Sequence, residues 1–161
     1  MSAPLGVVDR GWCRRPPLEA RLRRLLADAA RDLNAAEATL WTFADDDTLA
    51  AALNHGPDAD VVEAQRVPVG ESVVGFVATH GSGMIVGPGE WQNPTVMQAT
   101  GTPVAAMVAV SVSLGGDVVG VLSVINPAGR PRFGAEDLDA AMWHAFLTGA
   151  VMARAMTESL P

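Results

Sequence analysis

Between Val104 and Ile125 the chain runs for 22 residues with Asp117 as its only charged side chain. As a helix that run would measure about 33 Å, enough to cross the apolar core of a bilayer. Its midpoint argues against that reading. Gly115-Gly116-Asp117 is a turn sequence, and valine, a β-former, dominates both flanks. The run therefore predicts a β-hairpin with strands over Val104–Leu114 and Val118–Asn126. In the first strand Val104, Ala106, Val108, Val110, Val112 and Leu114 share one face, while Ala105, Met107, Ala109, Ser111 and Ser113 share the other. The first face is uniformly aliphatic and suits helix packing. The second is small, sulfur-bearing or hydroxylic, and leaves volume beside polar anchors. In the second strand, Val118, Gly120, Leu122 and Val124 oppose Val119, Val121, Ser123 and Ile125.

The remaining segments fit around this hairpin. Residues 1–16 hold Pro4, Gly6, Gly11 and Pro16 without periodicity and read as a flexible, loosely packed N-terminal arm. Residues 17–161 then form a single domain, for which a chain of 161 residues, 49% apolar, supplies enough core. Pro17 suits the start of a helix whose Leu18, Leu22, Leu25, Ala29 and Leu33 fall at three- and four-residue spacing, widened by Leu26 and Ala30. Ala38–Phe43 and Thr48–Asn54 flank Asp45-Asp46-Asp47 and read as a second hairpin. Those aspartates lack the spacing, central glycine and terminal glutamate of a calcium loop, so they read as a solvated turn. Val61–Pro68 predicts a short edge strand, Glu71–His80 a short helix stopped by Gly81 and Gly83, and Met84–Val86 a brief strand. Gly87–Pro103 has almost no period; Trp91, Val96 and Met97 give it apolar anchors, and it reads as a lid. Ala135–Ser159 predicts a long amphipathic helix. The order is that of an α+β domain with a central antiparallel sheet.

Composition removes several functions. Acidic residues outnumber basic ones 18 to 11, for a net charge of -7, which disfavours nucleic acid and anionic membrane surfaces as partners. All basic side chains are arginine, so no phosphate-binding lysine, Schiff base or Ser-Lys pair is available. Cys13 is the single cysteine, which rules out an internal disulfide, a CxxC pair or a thiolate zinc cage and fits a reducing compartment. With no secretion signal evident near the N-terminus, the expected location is cytoplasmic. His55, His80 and His144 are too scattered to predict a metal site, and Ser72 and Ser82 lack a nucleophile elbow. No catalytic constellation emerges, and the chain is not expected to be an enzyme. Seven of the 11 arginines fall within residues 10–31, where they read as a solvated helix face paired with Glu19, Asp28 or Asp32, or as a surface for an acidic partner.

Two motifs carry a family resemblance. The run Arg66-Val67-Pro68-Val69-Gly70-Glu71-Ser72-Val73-Val74-Gly75-Phe76-Val77 resembles the segment that opens the short helix of GAF domains. Gly120-Val121-Leu122-Ser123-Val124-Ile125-Asn126, followed by Phe133-Gly134-Ala135-Glu136-Asp137-Leu138, resembles their last strand and the start of their final helix. The resemblance spans roughly residues 17–157. It implies a GAF-like central antiparallel β-sheet with N- and C-terminal helices on one face and a lid-covered pocket on the other. It further implies a sensory or regulatory domain that binds a small molecule and signals through its terminal helices to an output domain, a regulatory protein or a second subunit.

On that basis Trp41 and Phe76 are expected as pocket walls, Trp91 and Met97 as lid contacts, and Met107, Ser111 and Ser123 as sheet contacts. His80 ends the bordering helix, where it either caps carbonyls or meets ligand. A bilin is disfavoured because Cys13 precedes the first helix, and haem because Gly87–Pro103 holds no histidine. The free methionine sulfoxide reductases of this fold need core cysteines that the chain lacks. No cofactor is predicted. Asn126, Phe133 and Asp137 match the cyclic-nucleotide signature of the family, but Pro127 and Leu138 depart from it; Asn126 and Phe133 also suit a strand-end cap and a core plug. The alternative function is a dimerisation or protein-interaction module with a vestigial pocket, a homodimer through the Leu-rich first helix and Met-rich last helix.

Overall fold

A computed structural model describes residues 8–90, 101 and 103–158. Asp9 accepts the amide of Trp12 at 2.8 Å and opens α1 (Arg10–Cys13), which is followed by α2 (Leu18–Asp32). Then come β1 (Ala35–Phe43), β2 (Thr48–His55), α3 (Ala59–Val62), β3 (Arg66–Pro68), α4 (Val73–His80) and β4 (Gly83–Val86). After residues 91–100, β5 (Met107–Leu114) and β6 (Asp117–Pro127) form the hairpin predicted from the valine-rich run, and α5 (Ala135–Glu158) completes the order. The six strands lie in the order β3-β2-β1-β6-β5-β4, and every pairing is antiparallel. Pairing of β1 with β6 joins the two hairpins at the centre of the sheet. No described helix is long and apolar enough to cross a membrane.

Strand alternation separates two cores. On one face Leu40, Val108, Val110, Leu122 and Val124 pack against α1, α2 and α5, and Leu22, Leu26 and Met152 of those helices, with Phe133 just before α5, fill the space between. On the other face Trp41, Leu49, Ala51 and Val121 meet Val62 of α3, Val67 of β3, and Val73, Val74 and Val77 of α4. Each fully buried aliphatic side chain contributes roughly 1.5–3 kcal/mol relative to exposure, so both layers stabilise the sheet. Gly149 lets α5 lie directly on β5, since a Cβ there would stand 2.5 Å from the Ser113 carbonyl oxygen.

Two bulges change which side chains face which core. Leu40 pairs with Leu53 and Trp41 with Ala51, so Ala52 is an extra residue in β2. Val112 pairs with Gly120 and Ser113 with Val118, so Val119 is an extra residue in β6. Val119 consequently joins the helix-side core, whereas strict alternation groups it with Val121 and Ser123. That grouping is corrected by the bulge.

Two further expectations change. Residues 8–16 are not loosely packed: Val8, Trp12 and Cys13 are buried in the helix-side core. Val61–Pro68 is not one strand; Ala59–Val62 is a helical turn, closed by Glu63 N–H to Ala59 O at 2.8 Å, and only Arg66–Pro68 pairs. Because β3 covers β2 only over Thr48–Ala50, the rest of that edge needs other partners. Gln65 O accepts the Ala51 amide at 3.2 Å, and Arg14 Nε donates to Ala52 O at 3.0 Å. Glu63 Oε2 accepts the Asn54 amide at 2.8 Å, and Arg23 Nη1 donates to Asn54 O at 3.4 Å. Glu63 itself pairs with Arg14 at 2.6 Å and Arg23 at 2.9 Å. The basic N-terminal stretch thus includes two arginines that seal a strand edge, while Arg23 also meets Glu19 at 2.8 Å and Arg31 meets Asp28 at 2.9 Å.

Candidate functional site

The sheet face away from α2 and α5 carries a narrow recess. β1 contributes Glu37, Thr39 and Trp41 at period two; β5 and β6 add Met107, Ser123 and Ile125. Val62, Val67, Val73, Val74, Ser72 and Val104 close the sides. Ser72 is held in place as the N-cap of α4, accepting the Gly75 amide at 3.0 Å and donating to Pro68 O at 2.6 Å. The recess has a volume of about 50 Å³. That is far below the roughly 300–1,000 Å³ that encloses a drug-sized ligand. It is enough for a group of a few heavy atoms, since a single water needs about 10–15 Å³.

Its polar groups are organised in two sets. Trp41 donates its indole N–H to Ser123 Oγ at 2.8 Å, which fixes the aromatic wall against β6. Asn54 donates from Nδ2 to Thr39 Oγ1 at 2.7 Å and to Glu37 Oε1 at 3.2 Å. Glu37 is 6% exposed, and among the described residues its carboxylate accepts from Asn54 through Oε1. Burial pushes the Glu37 carboxyl above the ordinary glutamate value; the Asn54 hydrogen bond opposes this, and the charge of Asp58 adds to it. Asn54 Oδ1 is buried without a partner. No arginine or histidine lines the recess.

Of the side chains expected at a ligand site, Trp41, Met107 and Ser123 come together here. Phe76 and His80 do not line the recess. Their rings stack at 4.0 Å with His80 exposed, and His80 Nδ1 lies 2.9 Å from Phe76 O, one turn back on α4. Ser111 lines a different groove, described below. The positions of Trp91 and Met97 lie outside the described residues. Glu37 was missed because β1 begins at Ala35, three residues before the predicted strand; Thr39 lies inside that strand on the face of Trp41, where the period of two already placed it.

The residues of the cyclic-nucleotide signature have structural partners. Asn126, in the left-handed region at φ 62°, accepts the Ala105 amide at 2.7 Å and donates to Pro103 O at 3.2 Å. Phe133 is buried in the helix-side core. Asp137 pairs with Arg130 at 2.7 Å and accepts the Gly134 amide at 2.8 Å. Cys13 also lies in the helix-side core, on the face opposite the recess.

A second, open groove of about 420 Å³ runs between α5 and the β4–β5 end of the sheet. Gly81, Ser82, Gly83, Ser111, Ser113 and Gly149 line it together with Met142 and Phe146. Met142, Trp143 and Phe146 are 53%, 57% and 65% exposed, large values for apolar side chains.

A six-stranded antiparallel sheet with terminal helices on one face and a side-chain-lined recess on the other defines the class to which this chain compares. The family model described as GAF domain matches residues 17–145, and the chain belongs to the GAF domain family. The GAF domain of a phosphoenolpyruvate-protein phosphotransferase from Coxiella burnetii superimposes with a TM-score of 0.74 at 16% identity, over 90% of this chain and 88% of that one. The GAF-B domain of DevS from Mycobacterium smegmatis gives 0.70 at 18% identity, over 86% and 96%. A free methionine-R-sulfoxide reductase from Neisseria meningitidis, in complex with its substrate, gives 0.69 at 18% identity, over 88% and 80%. No curated protein matches the chain. GAF domains are sensory or regulatory modules of kinases, chemotaxis proteins and phosphotransferases, and in general non-catalytic.

Proposed function

We propose that this chain is a regulatory GAF domain that takes a small molecule into the recess beneath Trp41 and passes the event to its terminal helices. The observation that carries this reading is the recess itself: Glu37 and Thr39 beside an aromatic wall, on the sheet face opposite α2 and α5, held by a buried Asn54 whose own Oδ1 has no partner. A merely structural core would pair such groups or leave them out, because an unpartnered buried acceptor costs about 1–3 kcal/mol. The volume restricts the guest to a few heavy atoms. The lone thiol lies in the opposite core, so the chemistry named for the Neisseria relative finds no support at the recess.

The test is a thermal-unfolding screen against a panel of small metabolites, read alongside the indole N–H resonance of Trp41. A saturable rise in Tm accompanied by movement of that resonance is expected. No response across the panel would refute the reading.

The second reading, an interaction module working through its helices, is favoured by one observation. Met142, Trp143 and Phe146 form an exposed apolar cluster on α5 beside the larger groove, and such clusters mark association surfaces. Sedimentation velocity over a range of concentrations separates the readings: a strict monomer contradicts the second and leaves the first intact.

A further inference from the structure

Among the described residues two carboxylates are buried, Glu63 at 8% and Glu37 at 6% exposure. They are treated in opposite ways. Glu63 has two guanidinium partners, Arg14 and Arg23, and the Asn54 amide. Glu37 has one neutral hydrogen bond, from Asn54, and no cationic partner. A carboxylate withdrawn from water without a counter-charge is costly, so such a group either keeps a proton or takes a cation. The chain has no lysine, and none of its arginines lines the recess. When the carboxyl is ionised, its counter-charge has to come from outside the chain.

We infer that the recess takes a small organic cation carrying N–H donors, a protonated primary amine of two or three heavy atoms, with Glu37 as its counter-ion. This rests on the reading of the recess as a ligand site and names the chemistry of its guest. Glu37 lines the recess, and Asn54 holds its Oε1 so that the carboxylate keeps its orientation. Trp41, Met107 and the valines of α3, β3 and α4 give the alkyl end an apolar surround. A bare metal ion does not suit this site. Hard cations need about six oxygen ligands, and among the described residues no group of three His, Cys, Asp or Glu side chains could hold one. An anion would meet Glu37 as a like charge.

The test uses the whole chain with methylammonium and ethylammonium chloride as probes. Sodium chloride, tetramethylammonium chloride and sodium acetate at equal ionic strength serve as controls. Ligands of this size bind with Kd of about 0.5 mM or weaker, so titration runs to about 50 mM. At tenfold over Kd the expected rise in Tm is roughly 3–6 °C, saturating, with movement of the Trp41 indole N–H signal. The signal is assigned by its loss in Trp41→Phe. Tetramethylammonium, which has no N–H and exceeds the recess, and acetate should give neither effect.

Glu37→Gln keeps the Asn54 contact and removes the charge; it should abolish the amine response. Should that variant fail to fold, the indole signal of the native protein, amine against tetramethylammonium, still decides. Absence of any amine response would overturn the inference, the carboxyl then simply keeping its proton, and so would an amine response that persists in Glu37→Gln. A neutral or anionic molecule that moves the indole signal equally in native protein and Glu37→Gln would also overturn it, while the ligand-site reading stands. If no small molecule of any charge moves that signal, both fall.

Discussion

Substituting Ser123→Ala tests how firmly the aromatic wall of the recess is held. The hydroxyl accepts the Trp41 indole N–H at 2.8 Å, and both residues are buried. Removing the acceptor strands a buried donor, at a cost of about 1–3 kcal/mol. The adjoining recess, at about 50 Å³, admits a water that can accept the same N–H, and alanine leaves almost no added void. The lower end of the range is therefore expected, about 1–1.5 kcal/mol. For a chain of this size that is a fall in Tm of roughly 2–6 °C. Urea unfolding followed by far-ultraviolet circular dichroism avoids the overlapping signals of four tryptophans and should show a lower midpoint with an unchanged slope. A cycle with Trp41→Phe isolates the pair, with an expected coupling of about 0.5–1.5 kcal/mol. A Ser123→Ala protein within about 0.5 kcal/mol of native, with no coupling to Trp41→Phe, would refute the pairing that fixes this wall.

Three other outcomes follow from the same geometry. Burial pushes the Glu63 carboxyl up, but the Arg23 and Asn54 hydrogen bonds and the charges of Arg23 and Arg14 together hold it below the ordinary glutamate value. Its contribution is thus present above that ordinary value and lost as pH falls through the lower folded one; Glu63→Gln should cost about 1–2 kcal/mol at pH 7, less than for a fully buried pair because both arginines are partly solvated, and should flatten acid unfolding in that window. Cys13 is pushed up to about 12 by burial and by the charge of Asp9, so a thiol reagent at pH 8 should label it only after unfolding in urea, and rapid labelling of native protein would contradict its burial. Gly149→Ala places a methyl 2.5 Å from the Ser113 carbonyl oxygen, and the resulting overpacking of about 1–3 kcal/mol should exceed the gain of about 1 kcal/mol in helix propensity; a more stable variant in thermal melts would show that α5 is not seated on β5.

The valine-rich run was the most informative part of the sequence because two independent signals agreed there: Gly115-Gly116-Asp117 as a turn and alternation on each side. The final helix, from Ala135, and the short helix ending at Gly81, in the left-handed region at φ 63°, were legible for the same reason. The bulges at Ala52 and Val119 were not, since an extra residue becomes visible only when the partner strand is counted against it. Val61 and Val62 suggested a strand by β-propensity, yet one helical turn after Asp58 buries Val62 and leaves Val61 exposed. Of the recess, Trp41, Met107 and Ser123 could be read from alternation, while Glu37 was concealed by a strand start placed three residues late. Phe76 was misplaced because the apolar face of so short a helix does not reveal which neighbour it meets; Val73, Val74 and Val77 take the core side, the stacked Phe76–His80 pair takes the outside, and of the two roles weighed for His80 the contact with a helix carbonyl is the one found.

Asn54 is gripped from two sides at once. Its side-chain amide holds Thr39 and Glu37 within the recess, while its peptide N–H and C=O are taken by Glu63 and Arg23. A turn of the side chain can be absorbed locally. A translation of the Cα cannot, because the planar peptide groups on either side move with it and carry the guanidinium of α2 along. In mechanical terms the residue is a bell crank, with one arm in the hollow and the other on the first long helix, and its pivot is the stretch of β2 whose outer edge β3 leaves uncovered.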